Sequence, residues 1–283
     1  MFQERLLDGK VVLVTGGGTG LGKSMAARMG ELGARLVLSG RRKEPLDEAV
    51  SALQARGVEA LAVTCDVRDP AQVEAMVQAA VARFGRVDAL LNNAAGNFLC
   101  PTEELSPNAF ASVVGIVLHG SFHCTLAAGK QMIAQGGGGV ILSITTTYAE
   151  LGSAYVVPSA CAKAGVLAMT RSLAVEWAKY KIRLNAIAPG PFPTEGAWAK
   201  LVPPGFETIM TPDRIPARRF GEHEELANLA SFLLADGSSY IPGQQLVIDG
   251  GESLMGGEFN ALTLLDPNNV SQVLRMMRPP KKG

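Results

Sequence analysis

The chain has 283 residues, 47 % of them hydrophobic, and its 26 Lys and Arg balance 26 Asp and Glu. That length suits one large α/β domain or two small ones with a sizeable core. A net charge of zero argues against nucleic acid as a partner, because phosphate-backbone binding shows as a basic excess. A local basic patch for a phosphorylated small molecule stays open.

Cys65, Cys100, Cys124 and Cys161 form no C-x-x-C pair, and His119, His123 and His223 add no metal-ligand spacing, so no metal is expected. Reduced, mostly buried thiols and a cytoplasmic location are expected instead. The first apolar segment begins at Val11, so no signal or transit peptide is expected. No uninterrupted apolar run looks long enough to span a bilayer.

Short apolar runs alternate with longer amphipathic ones. A strand is expected over Val11–Thr15, a helix over Leu21–Leu32 and a strand over Arg35–Ser39. Next come a helix over Glu44–Arg56, a strand over Ala60–Thr64 and a helix over Pro70–Phe84, opened by its proline. Val87–Asn92 reads as a strand, Pro107–Gln135 as one long helix and Val140–Ile144 as a strand. A helix over Ser159–Lys179, a strand over Arg183–Ala188, a helix over Glu222–Ala235 and a strand over Gln244–Ile248 complete the series. Strands rich in Val, Ile, Leu and Ala, separated by helices, predict a parallel sheet covered on both faces. The expected fold is α/β: one Rossmann-type, doubly wound domain over 1–283 with a seven-stranded parallel sheet.

Residues 190–219 break the rhythm with six prolines and three glycines. They follow the carboxyl end of a strand, where such folds bind ligands, and are expected to form a substrate lid. Residues 279–283 are expected to be a frayed tail.

Thr15-Gly-Gly-Gly-Thr-Gly-Leu-Gly22 lies between the first strand and the first helix. Glycines there allow positive φ and let backbone N–H groups approach a pyrophosphate at the positive end of the helix. Gly16, Gly17, Gly18, Thr19, Gly20 and Leu21 are thus candidate cofactor contacts, in the strand–turn–helix context that makes the motif specific. The second strand ends Leu38-Ser-Gly-Arg-Arg42, with no acid before Glu44. A carboxylate there would hold a ribose 2′-hydroxyl, whereas Arg41 can bind a 2′-phosphate, so NADP(H) is favoured over NAD(H).

With that turn, Asp66 after the third strand, Asn92-Asn-Ala-Ala-Gly96, and Pro189-Gly190 after the sixth strand, the chain resembles the short-chain dehydrogenase/reductases over nearly its whole length. The resemblance implies that Asp66 and Val67 border the adenine. Asn93, Ala94 and Gly96 would line the cofactor cleft, with Pro189, Gly190, Pro191 and Phe192 also on the cofactor. The family's usual Tyr-x-x-x-Lys motif is altered. Lys163 is in place, but Ser159 stands where the tyrosine belongs, and Val117 stands where a helical asparagine is usual. A serine hydroxyl is too far from neutral pKa to replace a phenol readily.

The acid can come from elsewhere. Tyr148 lies just past the fifth strand and Asn97 just past the fourth, and carboxyl ends of neighbouring parallel strands lie side by side. This arrangement is similar to the 2,4-dienoyl-CoA reductases, which keep the lysine, carry serine at the old tyrosine position, and use a tyrosine fifteen residues before the lysine, the spacing of Tyr148 and Lys163. Asn-Ala-Ala-Gly-Asn-Phe98, Ser-Ile-Thr-Thr-Thr-Tyr148, Val-Pro-Ser159 and Gly-Glu-Phe-Asn260 extend the likeness, which is to the mitochondrial type more than the peroxisomal one.

The resemblance implies Tyr148, Asn97, Lys163 and Ser159 as catalytic groups. It places Arg68, Phe98, Ser106 and Lys200 along the acyl-CoA path, and it implies a homotetramer. Gly237–Tyr240 would sit near such an interface. Tyr155 is the competing phenol. Val156 occupies the place where bacterial enoyl-acyl-carrier reductases of this superfamily carry their tyrosine. The expected reaction is NADPH-dependent reduction of a 2,4-dienoyl-CoA to a 3-enoyl-CoA in unsaturated fatty acid β-oxidation. The alternatives are an NADP-dependent 3-ketoacyl or hydroxyacyl reductase, and a non-catalytic dinucleotide-binding protein. The three histidines and Thr145, Thr146 and Thr147 are expected to be structural.

Overall fold

The computed structural model describes residues 4–194, 196, 202, 205 and 211–278. Seven strands form the sheet: β1 (Val11–Thr15), β2 (Arg35–Gly40), β3 (Ala60–Thr64), β4 (Ala89–Asn92), β5 (Gly139–Ile144), β6 (Ile182–Pro189) and β7 (Gln245–Ile248). They lie in the order β3-β2-β1-β4-β5-β6-β7, every pairing parallel. The expected seven-stranded parallel sheet is therefore present.

Side chains alternate across a strand, and both faces here are apolar. Val12 and Val14 point into one core with α1 (Gly20–Glu31), α2 (Lys43–Gln54) and α8 (His223–Leu234). Leu13 points into the other, with α3 (Pro70–Phe84), α5 (Gly120–Gln135) and the end of α7 (Val157–Glu176). The strand order reverses at β1, which lies between β2 and β4. Crossovers leave to opposite faces there and open a crevice at the carboxyl ends of the strands, where such sheets take ligands.

Three elements differ from expectation. The long helix is divided into α4 (Pro107–Val114), a π turn at Gly115–His119, and α5. As one run, Pro107–Gln135 is long and apolar enough, by length and composition, to cross a membrane. Ser112, His119, Ser121, His123 and Lys130 interrupt it, so it is not an uninterrupted apolar run. The helix packs on α3, α7 and β4, which explains its apolar face without a bilayer. A four-residue helix, α6 (Tyr148–Leu151), starts at the candidate acid. An unexpected helix, α9 (Pro267–Met276), is opened by Pro267 with the Asp266 carboxylate accepting from the Asn268 N–H. Lys200, most of the expected lid and the tail at 279–283 lie outside the described residues.

Candidate active site

The glycine turn fits a pyrophosphate by sterics and by its donors. Gly16 has φ +66°, and a Cβ at Gly22 would lie 2.3 Å from the Gly16 carbonyl oxygen, so only glycine lets α1 approach the turn this closely. Thr19 makes no side-chain cap at the start of α1, so the first N–H groups of the helix are available to an anion.

Asn93 fixes the turn to β4, its Nδ2 donating to the carbonyl oxygens of Thr15 (3.0 Å) and Gly16 (3.3 Å). The backbone N–H groups of Asn93 and Ala94 both donate to the Thr15 hydroxyl at 3.0 Å. Asn92 and Asn93 thus act as scaffold: the Asn92 amide donates to Thr125 at 2.9 Å.

Just past β3, the Arg68 guanidinium bonds both Asp66 carboxylate oxygens. That bond comes first among the causes that hold the Asp66 carboxyl below its usual range, and the Arg41 charge also contributes. Arg41 is exposed and belongs to the same electrostatic cluster. The structure therefore places Arg68 on Asp66, beside the cofactor motif.

The reacting end is assembled by β4, β5 and α7. The Asn97 Nδ2 donates to the Tyr148 hydroxyl at 3.3 Å, and that hydroxyl shares a 3.0 Å hydrogen bond with the Ser159 Oγ. The Phe98 N–H donates to the Asn97 Oδ1 at 2.9 Å, which turns the amide nitrogen toward the phenol. Register explains the meeting: Asn92 pairs with Ser143, so chains leaving β4 and β5 start level.

Lys163 is buried on α7 and donates to the Ile144 carbonyl oxygen. Burial lowers its pKa to about 8. Val117, in the π turn, is buried against Val113, Ala162 and Val166, so the place of the usual asparagine is apolar packing. Tyr155 is 58 % exposed with φ +64°, and its carbonyl oxygen accepts from the Cys100 N–H. It anchors the loop beyond Asn97 through its backbone.

Past the carboxyl ends of β4 and β5 the Asn97 amide and the Tyr148 and Ser159 hydroxyls meet, a buried lysine donates to the end of β5, and a glycine turn with free N–H groups opens α1. The match to the family described as enoyl-(acyl carrier protein) reductase covers residues 16–253. The chain belongs to the short-chain dehydrogenase/reductases. As such an oxidoreductase, it is 46 % identical to a Bacillus subtilis protein named probable 2,4-dienoyl-CoA reductase [(2E)-enoyl-CoA-producing], over 88 % of this chain and 98 % of that one. It is 41 % identical to a Caenorhabditis elegans protein named probable 2,4-dienoyl-CoA reductase 3 [(3E)-enoyl-CoA-producing], over 89 % and 83 %. A solved gluconate 5-dehydrogenase from Burkholderia cenocepacia, in complex with NADP and tartrate, superposes with a TM-score of 0.83 at 33 % identity, covering 89 % and 98 %.

Other expected residues of this dehydrogenase/reductase have visible local roles. Ser106 caps α4, its hydroxyl accepting from the Ala109 N–H. Phe98 packs on the Val113–Val117 cluster. Phe192 is buried under Gly221, and the Gly190 N–H donates to the Ile248 carbonyl oxygen. His223 has the kind of structural role expected of it: its ring bridges the Ser24 hydroxyl (2.8 Å) and the Pro193 carbonyl oxygen (2.7 Å), tying α1 to the segment after β6. Which segments it ties was hidden in the sequence, because a polar residue opening a helix looks like any other.

Proposed function

We propose that the protein reduces 2,4-dienoyl-CoA thioesters to 3-enoyl-CoA with NADPH. The observation that carries this is the convergence of the Asn97 amide and the Tyr148 hydroxyl, with Ser159 in place of the family's usual phenol. Such thioesters are intermediates of unsaturated fatty acid β-oxidation. The dienoyl-CoA reductase names of the relatives support the substrate class, and they divide between 2E and 3E products.

The turn of Gly16–Leu21, with Asp66, Val67, Asn93, Ala94, Gly96 and Pro189–Phe192, would hold the cofactor, and Arg41 its 2′-phosphate. Bound there, NADPH supplies hydride to the substrate's δ carbon. That carbon is electrophilic only if the thioester oxygen can take up charge. Tyr148 and Asn97 donate to this oxygen and stabilise the extended dienolate, as two oriented donors do in an oxyanion hole. Ser159 orients the phenol. Charged Lys163 would hold the ribose hydroxyls and make the Tyr148 phenol a stronger acid and donor. A proton from Tyr148 or from water, delivered to the α carbon of the dienolate, leaves the 3-enoyl product. Arg68, Phe98, Ser106 and Lys200 are proposed for the acyl-CoA path.

The chain is proposed to act as a tetramer. Phe122 on α5 and Tyr240 before β7 are 47 % and 96 % exposed, which suits helix-face and edge interfaces. NADPH oxidation with 2,4-hexadienoyl-CoA and with acetoacetyl-CoA, followed by product analysis, tests the assignment. Turnover of the dienoyl ester to a 3-enoyl product supports it. A preference for the ketoester, or a 2-enoyl product, overturns it.

A further inference from the structure

The segment that leaves β6 comes to rest on the glycine turn. A Cβ at Gly20 would lie 3.5 Å from the Thr194 methyl group, so residue 194 sits against the first residue of α1. Two walls of the proposed dinucleotide cleft meet here. One is the turn that opens α1, and the other is the stretch 191–194.

Pro191 and Pro193 have no N–H to donate, so at those positions the stretch can be tied only through carbonyl oxygens. Both oxygens are taken by the start of α8. The Gly221 N–H donates to the Pro191 oxygen at 3.0 Å. A Cβ at Gly221 would lie 2.4 Å from the Phe192 ring, so glycine is what lets the chain approach this closely. Two residues on, the His223 Nε2 lies 2.7 Å from the Pro193 oxygen. A carbonyl oxygen only accepts, so Nε2 carries the hydrogen. Nδ1 of the neutral ring then accepts from the Ser24 hydroxyl on α1, at 2.8 Å. That hydroxyl also lies 3.2 Å from the Gly20 carbonyl oxygen, one helical turn back toward the glycine run. Further along the two helices the Arg28 Nε donates to the Asn228 Oδ1 at 2.9 Å, which holds α8 beside α1.

His223 therefore grips one wall with each ring nitrogen. A wall that is ordered before its ligand arrives lowers the cost of binding. The hydrogen bonds that join Asn97, Tyr148 and Ser159 do not involve this ring. We propose that His223 is a positioning residue for the cofactor: it keeps residues 191–194 seated on the glycine turn and so sets dinucleotide affinity, while the reacting groups stay as they are. This role rests on the dinucleotide reading of that turn.

Nucleotide affinity separates such a role from a purely structural one. His223→Phe keeps a ring in place but neither hydrogen bond. Fluorescence titration should show its Kd for NADPH raised by roughly 3- to 10-fold, the scale of one ordinary hydrogen bond, with a matching rise in KM for NADPH. With 2,4-hexadienoyl-CoA at saturating NADPH, kcat should stay near wild type. His223→Gln, whose amide both donates and accepts, should recover most of the affinity. Ser24→Ala releases only the α1 end and should weaken binding less; it carries the test if His223→Phe does not fold. Variants that melt at lower temperature yet bind NADPH as wild type does overturn the proposal, as does a fall in kcat with Kd unchanged. A wild-type protein that binds neither NADPH nor NADH overturns the dinucleotide reading itself.

Discussion

The Asn97 amide stands 3.3 Å from the Tyr148 hydroxyl, although 51 residues separate the two in the chain. Their meeting is a property of the sheet: each is held a few residues past one of two adjacent parallel strands in level register. Both can donate to one oxygen, and loss of one such donor typically costs ~10²–10³ in rate. Tyr148→Phe and Asn97→Ala should each lower kcat with 2,4-hexadienoyl-CoA by at least ~10²-fold. Tyr155→Phe should leave it near wild type. Steady-state assays of the three variants check this; a dead Tyr155→Phe beside active Tyr148→Phe would reverse the assignment of the acid.

Lys163 faces opposite demands from fold and function. Its folded pKa of about 8 lies below the ordinary lysine value because burial disfavours the ammonium. The unfolded chain therefore binds the proton more readily between that pH and the ordinary lysine range. Stability from this group is present at high pH, falls as pH drops through the window, and stays lost below about 8. Lys163→Met should thus melt no lower than wild type at pH 7 while losing turnover. In wild type, kcat/KM should decline as pH rises above about 8, where the ammonium is lost. Calorimetry and a pH–rate profile measure the two. A variant that is both inactive and much less stable at pH 7 would mean that Lys163 is chiefly structural.

The legible parts of this protein are those where one residue type answers one physical demand. Glycines at 16 and 22 answer a steric demand that a Cβ cannot meet. Pro70 and Asp69 open α3, and the run Val11–Thr15 is buried throughout, as its composition requires. Asn97 and Tyr148 were legible only through strand adjacency plus the serine at 159. The pairing of Arg68 with Asp66 was not: an isolated arginine looks the same in sequence whether or not a carboxylate faces it. The π turn at Gly115–His119 was hidden because its residues continue an ordinary apolar helix pattern.

The proposed NADPH preference rests on Arg41. It is exposed and lies near Asp66, so an added 2′-phosphate would meet a guanidinium there in place of the usual acid. A hydrogen bond to a charged group contributes about 1.5–3 kcal/mol. Arg41→Ala should therefore lower the NADPH-to-NADH ratio of kcat/KM by ~10- to 100-fold, mostly by raising the KM for NADPH. Arg41→Lys should retain part of the preference, since a lysine keeps the charge but not the planar fork. Comparing both cofactors at fixed dienoyl-CoA decides it; an Arg41→Ala enzyme with unchanged preference would move the 2′-phosphate contact elsewhere.

Gly22 separates the demands of the turn from those of helix propensity. Alanine is the better helix former, so on propensity alone Gly22→Ala should stabilise α1. Sterics oppose this, because the added Cβ would sit 2.3 Å from the Gly16 carbonyl oxygen and 2.5 Å from the Asn93 amide. The first is backbone and cannot rotate away, so the turn must open. Overpacking of that kind costs about 1–3 kcal/mol. It also displaces the N–H groups that face the pyrophosphate. Gly256→Ala is the control, since a Cβ there meets nothing within 4 Å. Thermal unfolding and NADPH fluorescence titration should show Gly22→Ala destabilised and weakened in cofactor binding, with Gly256→Ala unchanged in both. A Gly22→Ala protein that binds NADPH normally would show that α1 can shift as a body without its turn, and that the pyrophosphate does not depend on this close approach.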